Sequence, residues 1–187
     1  MAPKLIILDR DGVINQDAAD YIKSPEEWQA IPGSIQAISL LSQAGFMVMV
    51  VTNQSGLGRG YFNEVDLANM HTLMHALVED AGGQIAGVFY CPHRPDEGCH
   101  CRKPETGLLK QIEAEFGLSV KDAFYIGDSA KDLDCALAAG CRPVLVKTGK
   151  GAETLALLGA EQLKKILVFD DLLNATRQIL AGEKADG

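Results

Sequence analysis

Short apolar runs alternate with amphipathic stretches along most of the chain. Residues 5–8, 46–51, 86–90, 123–126, 144–146 and 166–169 form compact apolar segments of strand length. Such runs, without polar alternation, predict strands covered on both faces. Between the first two, Ile35, Ile38 and Leu41 recur at helical spacing over 34–44, and the pattern stops at Gly45, a helix-ending residue. Asn63 is placed to cap a helix that puts Leu67, Met70, Met74 and Leu77 on one face and ends at Gly82 and Gly83. Residues 106–116, 131–139 and 172–180 complete the helical set, and 182–187 reads as a frayed, flexible tail. Strands alternating with helices require crossover connections. The pattern therefore predicts an α/β fold with a doubly wound, mainly parallel sheet and helices on both faces.

Composition narrows the picture. The 187 residues amount to one ordinary domain spanning 1–187, with 47% hydrophobic and 22% charged residues. A net charge of −8 without a basic stripe argues against a nucleic-acid partner. The longest strongly apolar run, 46–51, is too short to span a bilayer, so no membrane partner is expected. No apolar leader follows the N-terminus, which predicts a cytoplasmic protein. Five cysteines in that setting argue against a disulfide framework. Cys135 and Cys141 read as small core residues, and Trp28 as a packing anchor.

The polar residues of interest fall just after strands. Asp9 and Asp11 follow the first, Thr52 the second, Cys91 the third and Asp128 the fourth. Ligands of open parallel sheets bind beyond those strand ends. Asp9 and Asp11 would repel one another unless a cation joined them, and hard oxygen ligands suit Mg²⁺. Thr52, Asn53, Gln54 and Ser55 offer uncharged donors for phosphate oxygens. Arg102 and Lys103 add positive charge before a helix, and Asp128, Ser129 and Asp132 add carboxylates and a hydroxyl at the fourth strand end. Each element alone also reads as ordinary turn chemistry.

Cys91, His93, Cys99 and Cys101 form two close pairs bridged by 94–98. Three thiolates and one imidazole make a four-coordinate structural Zn²⁺ site, a zinc loop over 91–101. His100 is the rival to His93, but alternation turns it away from Cys99 and Cys101. A redox disulfide or an accidental cluster are the competing readings. His71 and His75 stand at helical spacing without an acidic partner and read as exposed or interface histidines.

In this order, Asp9-x-Asp11-Gly12, Thr52, Lys103 and Gly127-Asp128-x-x-x-Asp132 resemble the four motifs of the haloacid dehalogenase (HAD) superfamily of phosphohydrolases, over about residues 4–147. The resemblance implies a HAD-like Rossmannoid fold. It implies that Asp9 is the nucleophile and Asp11 the general acid and base. It implies that Asp9, Asp11 and Asp128 hold Mg²⁺, and that Thr52 and Lys103 hold the transferring phosphoryl group. Asp132 would orient Lys103 or metal waters, or face solvent. No long insertion stands at the usual positions, so no large cap domain is expected.

The zinc loop followed by Arg102 and Lys103 is similar to the subfamily of heptose 1,7-bisphosphate 7-phosphatases and histidinol-phosphate phosphatases. The short 94–98 bridge fits the histidinol enzymes, whereas 52–62, with Arg59, resembles the heptose enzymes. A bisphosphate leaves one phosphate unreacted, for which Arg59 and Arg102 are candidates. Asp17, Asp20 and Tyr21 lie where the family binds sugar hydroxyls. The resemblance thus implies a monomeric phosphatase of a small phosphorylated sugar, β-anomer preferred, serving heptose precursors of lipopolysaccharide core or related glycans. A phospho-accepting receiver-like signalling domain is the alternative from another class.

Overall fold

The apolar runs pair side by side into a single parallel sheet. In the computed structural model, which describes residues 4–185, β1 (Lys4–Leu8), β2 (Phe46–Asn53), β3 (Gly87–Cys91), β4 (Phe124–Gly127), β5 (Arg142–Val146) and β6 (Leu167–Phe169) lie in the order β3-β2-β1-β4-β5-β6. Every pairing is parallel. Leu8 stands opposite Val50 on one side and Ile126 on the other, so β1 and β4 end within a residue of each other while β2 runs three residues farther. The chain winds outward from β1 in both directions. The crevice at this switch point is where such sheets bind ligands.

The helices are α1 (Ser34–Gln43), α2 (Ser55–Gly58), α3 (Glu64–Asp80), α4 (Gly107–Phe116), α5 (Ala130–Ala138), α6 (Gly151–Leu157) and α7 (Ala160–Leu163) between strands, and α8 (Leu172–Ala185) after the last one. The six strands and the five longer helices match the sequence pattern within two residues at each end, apart from the end of α8. There α8 continues to Ala185 where a frayed tail is expected from 182, and residues 186–187 lie outside the described range. The short α2, α6 and α7 escape the sequence pattern because they carry too few turns to display a period. Asn63 caps α3 as expected: its carboxamide oxygen accepts from Val65 N at 2.8 Å and Asp66 N at 3.0 Å, and Asp66 returns a bond to Asn63 N at 2.9 Å.

Both faces of the sheet are covered, which explains the unbroken apolar runs. Ile6, Leu8, Val48 and Val50 point to one face and pack with Ile38, Leu41, Met70, Met74 and Ile179 of α1, α3 and α8. Leu5, Ile7, Met49 and Val51 point to the other and pack with Leu108, Ile112, Cys135 and Ala136 of α4 and α5. Cutting a residue such as Ile7 back to alanine should cost about 2–5 kcal/mol. Trp28, Cys135 and Cys141 are buried, as expected. Between β1 and α1 the described chain forms only the isolated bridges Asp11–Asn15 and Asn15–Ala30, so no large cap covers the crevice. No described helix is long and apolar enough to cross a membrane.

Candidate active site

Beyond Leu8 the chain leaves β1 in a tight turn. Arg10 O accepts from Ile14 N at 2.8 Å, and Arg10 N donates to Asp9 Oδ1 at 2.7 Å. Gly12 takes φ 85°, which a side chain rarely adopts. Space forbids one as well: a Cβ there would lie 2.0 Å from Asp128 Oδ2. Gly149, after β5, is in the same position, with its would-be Cβ 2.2 Å from that oxygen. The two glycines let the β1 and β5 loops close around the Asp128 carboxylate, which also accepts from Lys150 N at 2.8 Å.

Lys103 reaches back from the loop before α4 and is 3% exposed. Its Nζ lies 2.8 Å from Asp9 Oδ1 and 2.7 Å from Asp132 Oδ1, and donates to Val51 O at 2.9 Å. Asp132 does not face solvent. It is fully buried and also accepts from Ser129 N and Oγ, closing a capping box at the start of α5. Of the roles open to it in the sequence, orientation of Lys103 is the one this geometry fits.

Three carboxylates, those of Asp9, Asp128 and Asp132, offer oxygens within 4.8 Å of one another. One ammonium serves all three, so two negative charges remain. Burial, then the Asp132 charge, pushes the Asp9 carboxyl well above its ordinary pKa. The same two causes raise Asp128 to about 6. Burial opposes the charge on Lys103, but Asp132 and Asp9 outweigh it and raise its pKa. Burial likewise opposes ionisation of Asp132, and Lys103 overrides it and lowers that pKa. The excess negative charge is what a divalent cation neutralises, and oxygen donors suit Mg²⁺. With Asp132 engaged by Lys103 and Ser129, the donors facing the crevice are Asp9 and Asp128.

Asp11 is held separately. Its Oδ1 accepts from Arg10 Nη2 at 2.9 Å and Asn15 Nδ2 at 2.8 Å, and its Oδ2 accepts from Gln54 Nε2 at 2.8 Å. Gln54 Nε2 also meets Thr52 Oγ1 at 2.9 Å. Burial favours the neutral acid, but the Arg10 charge and these bonds prevail and lower the pKa of Asp11.

The crevice has a volume of about 780 Å³ and is lined by Asp9, Asp11, Asp17, Tyr21, Thr52, Asn53, Gln54, Ser55, Arg102, Lys103, Asp128 and Ser129. Twelve of the fifteen sequence candidates outside the cysteine cluster therefore share one cavity, with Asp132 buried beneath it. Asp20 and Arg59 are exposed and outside its lining. Arg59 follows the short α2 as its C-terminal cap and is exposed. The cavity also takes in Gln16, Lys131 and Lys150, which sequence reading missed. Lys150 had a signal: it follows β5 just as Asp128 follows β4. Arg10 and His71 were missed as well. His71 is half-buried against Arg10 rather than exposed, because α3 packs beside the β1 loop.

The cysteine cluster lies where β3 ends. Cys101 Sγ is 3.3 Å from Cys91 Sγ, 3.6 Å from Cys99 Sγ and 3.2 Å from His93 Nδ1. A tetrahedron with Zn–S bonds of about 2.3 Å has edges near ~3.8 Å, so these four donors fit a closed zinc site. His93, not the exposed His100, completes the set. Burial and the neighbouring Cys101 push the Cys91 thiol up to about 12. Metal binding is the condition under which that group ionises. Arg102 Nη1 lies 3.4 Å from His93 O, which ties the loop to the crevice.

Comparison with known proteins agrees with this architecture. A HAD-hydrolase-like family model matches residues 100–175. The D-glycero-beta-D-manno-heptose-1,7-bisphosphate 7-phosphatase of Pseudomonas putida is 50% identical over 95% of this chain and 99% of its own. That of Neisseria meningitidis serogroup B is 48% identical over 95% of each chain. The crystal structure of D,D-heptose 1,7-bisphosphate phosphatase from B. bronchiseptica, complexed with magnesium and phosphate, superimposes with a TM-score of 0.91 at 46% identity, covering 96% of this chain and 99% of that one. By its fold, its site and these relatives, the chain belongs to the heptose 1,7-bisphosphate 7-phosphatase family of HAD phosphohydrolases.

Proposed function

We propose that this chain is a Mg²⁺-dependent phosphatase that removes the 7-phosphate of D-glycero-β-D-manno-heptose 1,7-bisphosphate. The observation that carries the choice of a bisphosphate is a cluster of cations at one wall of the crevice. Arg102, Lys131 and Lys150 all line it. Burial, then the Arg102 and Lys150 charges, lower the pKa of Lys131. Cations that crowd one another in this way are relieved by an anion. Lys103 is already committed deeper, beside Asp9, so this wall serves a second phosphate that does not react. Histidinol phosphate would bring an ammonium group to the same wall and be repelled.

Asp9 attacks phosphorus in this mechanism. No hydrogen bond reaches its Oδ2 among the described residues, whereas Oδ1 is fixed by Lys103 and Arg10 N. The new O–P bond forms as the bond from phosphorus to the sugar oxygen breaks, giving an aspartyl-phosphate. Asp11 is ionised beside Arg10 before substrate binds; the negative charge of the arriving phosphate favours its taking up a proton from solvent, which it gives to the leaving oxygen. It then takes one from the water that attacks phosphorus, which releases phosphate and restores Asp9. Thr52 and Lys103 hold the phosphoryl oxygens. Asp9, Asp128 and the main-chain carbonyl of Asp11 would hold Mg²⁺, which when bound would supply the charge that lets a phosphate dianion approach a carboxylate. Cys91, His93, Cys99 and Cys101 hold zinc as scaffolding for the loop that carries Arg102.

Phosphate release from the heptose bisphosphate, heptose 7-phosphate and histidinol phosphate tests the reading. The bisphosphate is expected to give the highest kcat/KM. A preference for histidinol phosphate would overturn the assignment.

A further inference from the structure

Arg10 is the largest fully buried side chain of the described residues, at 0% exposure. A buried guanidinium needs a partner for each of its donors. Nε and Nη2 meet Asp11 Oδ1 at 3.2 Å and 2.9 Å, and Nη2 reaches Oδ2 at 3.1 Å. Nη1 lies 3.3 Å from Nε2 of His71. A guanidinium has no lone pair to offer, so Nε2 must accept, and the ring is the neutral Nδ1–H tautomer. Tyr90 stands beside that ring, with centroids 6.1 Å apart.

The contacts form a relay from a rigid element to a cleft wall. His71 belongs to α3, a helix of seventeen residues anchored in the core through Met70 and Met74. Arg10 lies on the β1 loop, and Asp11 lines the crevice with its side chain 22% exposed. A fork serving only stability would end on a carboxylate sealed in the interior. This one ends on a carboxylate that opens to the reaction volume.

We propose that Arg10 and His71 are positioning residues for Asp11. The imidazole fixes the guanidinium, and the bidentate fork fixes the carboxylate at the cleft wall from which it meets the leaving oxygen and the attacking water. The inference rests on the acid–base reading of Asp11 given above. Without His71, the fork swings toward the freed space, and Asp11 is steadied only by Asn15 and Gln54.

The test compares His71→Leu, which removes the acceptor, with His71→Gln, which keeps one. Asp11→Asn is measured in parallel. Each is assayed on the heptose bisphosphate and on p-nitrophenyl phosphate. His71→Leu is expected to lower kcat on the bisphosphate by roughly ten- to a hundredfold, the worth of one charged hydrogen bond, with KM nearly unchanged. His71→Gln should recover most of the loss. p-Nitrophenolate departs without needing a proton, so its release in the first turnover should keep its native rate in His71→Leu. Later turnovers should slow, because hydrolysis of the aspartyl-phosphate needs Asp11 to activate water. Equal loss in the first and later turnovers, or a native kcat in His71→Leu, overturns the proposal. Near-native bisphosphate turnover by Asp11→Asn overturns the acid–base reading instead, and the proposal with it.

Discussion

Asp9 and Asp132 share one lysine but face different consequences when changed. Asp9→Asn keeps the shape of the nucleophile and removes its charge. It also relieves repulsion among the buried acids, so the expected outcome is a folded protein without turnover, read by circular dichroism and phosphate release. Asp132→Ala strips Ser129 N and Oγ of their acceptor and leaves Lys103 with Asp9 as its one paired carboxylate, beside Val51 O. Breaking a buried pair usually costs 3–5 kcal/mol. Asp9 remains as a partner, so about 3 kcal/mol is expected from urea unfolding. A change below about 0.5 kcal/mol would show that Asp132 does not anchor Lys103. His71 carries a pH prediction. Burial, then the Arg10 charge, lower its pKa to about 3 in the folded chain, against about 6.5 when unfolded. Between those values the unfolded chain binds a proton that the folded chain does not, so stability rises with pH. Acidification from pH 7 toward 4 should therefore cost up to about 1.4 kcal/mol per unit below pH 6 from this group. His71→Gln should remove that part of the slope. Parallel pH curves for the two proteins would refute the assignment.

The cysteine loop has little regular structure of its own. Residues 92–106 connect β3 to α4 with a single 3₁₀ turn, Pro95–Glu97, and that turn buries none of its residues. A metal joining the four side chains of the proposed zinc site would add to the packing of Cys91, Cys99 and Cys101 on the core. Protein purified without added zinc is expected to contain one zinc per chain, and Cys99→Ser to lose it. Because Arg102 leans on His93 O, loss of zinc should raise KM for the bisphosphate more than it lowers kcat. Full zinc retention in His93→Ala would move the ligand role elsewhere.

At the scale of the whole molecule, the two-directional winding of the sheet gathers loops from β1, β2, β4 and β5 at one end. Lys103 is paired with Asp9 and Asp132, whereas Arg102, Lys131 and Lys150 also line the crevice, Lys150 being 3.2 Å from Asp17. Arg102→Ala is expected to lower kcat/KM for the bisphosphate by roughly ten- to a hundredfold and to spare a monophosphate. Arg59→Ala, exposed and outside the lining, should leave both within about twofold. Equal loss on both substrates for Arg102→Ala would assign it to the reacting group.

Local pattern was enough for much of this protein. A strand buried on both faces writes itself as an apolar run, and a capped helix as Asn63 followed by spaced apolar residues, because both depend on near neighbours. Asp9, Asp11, Thr52 and Asp128 were legible for a related reason: parallel-sheet chemistry collects just after strand ends. The cysteine cluster was legible through its donor types and short spacing. Tertiary structure alone decided what lies across the chain. Arg10 and His71 are 61 positions apart, and only the packing of α3 against the β1 loop brings them to 3.3 Å. It alone buried Asp132 against Lys103, turned Arg59 to solvent, and set Lys150 at the cleft. Each of these depends on where a side chain points once distant segments meet, and no local period records that direction.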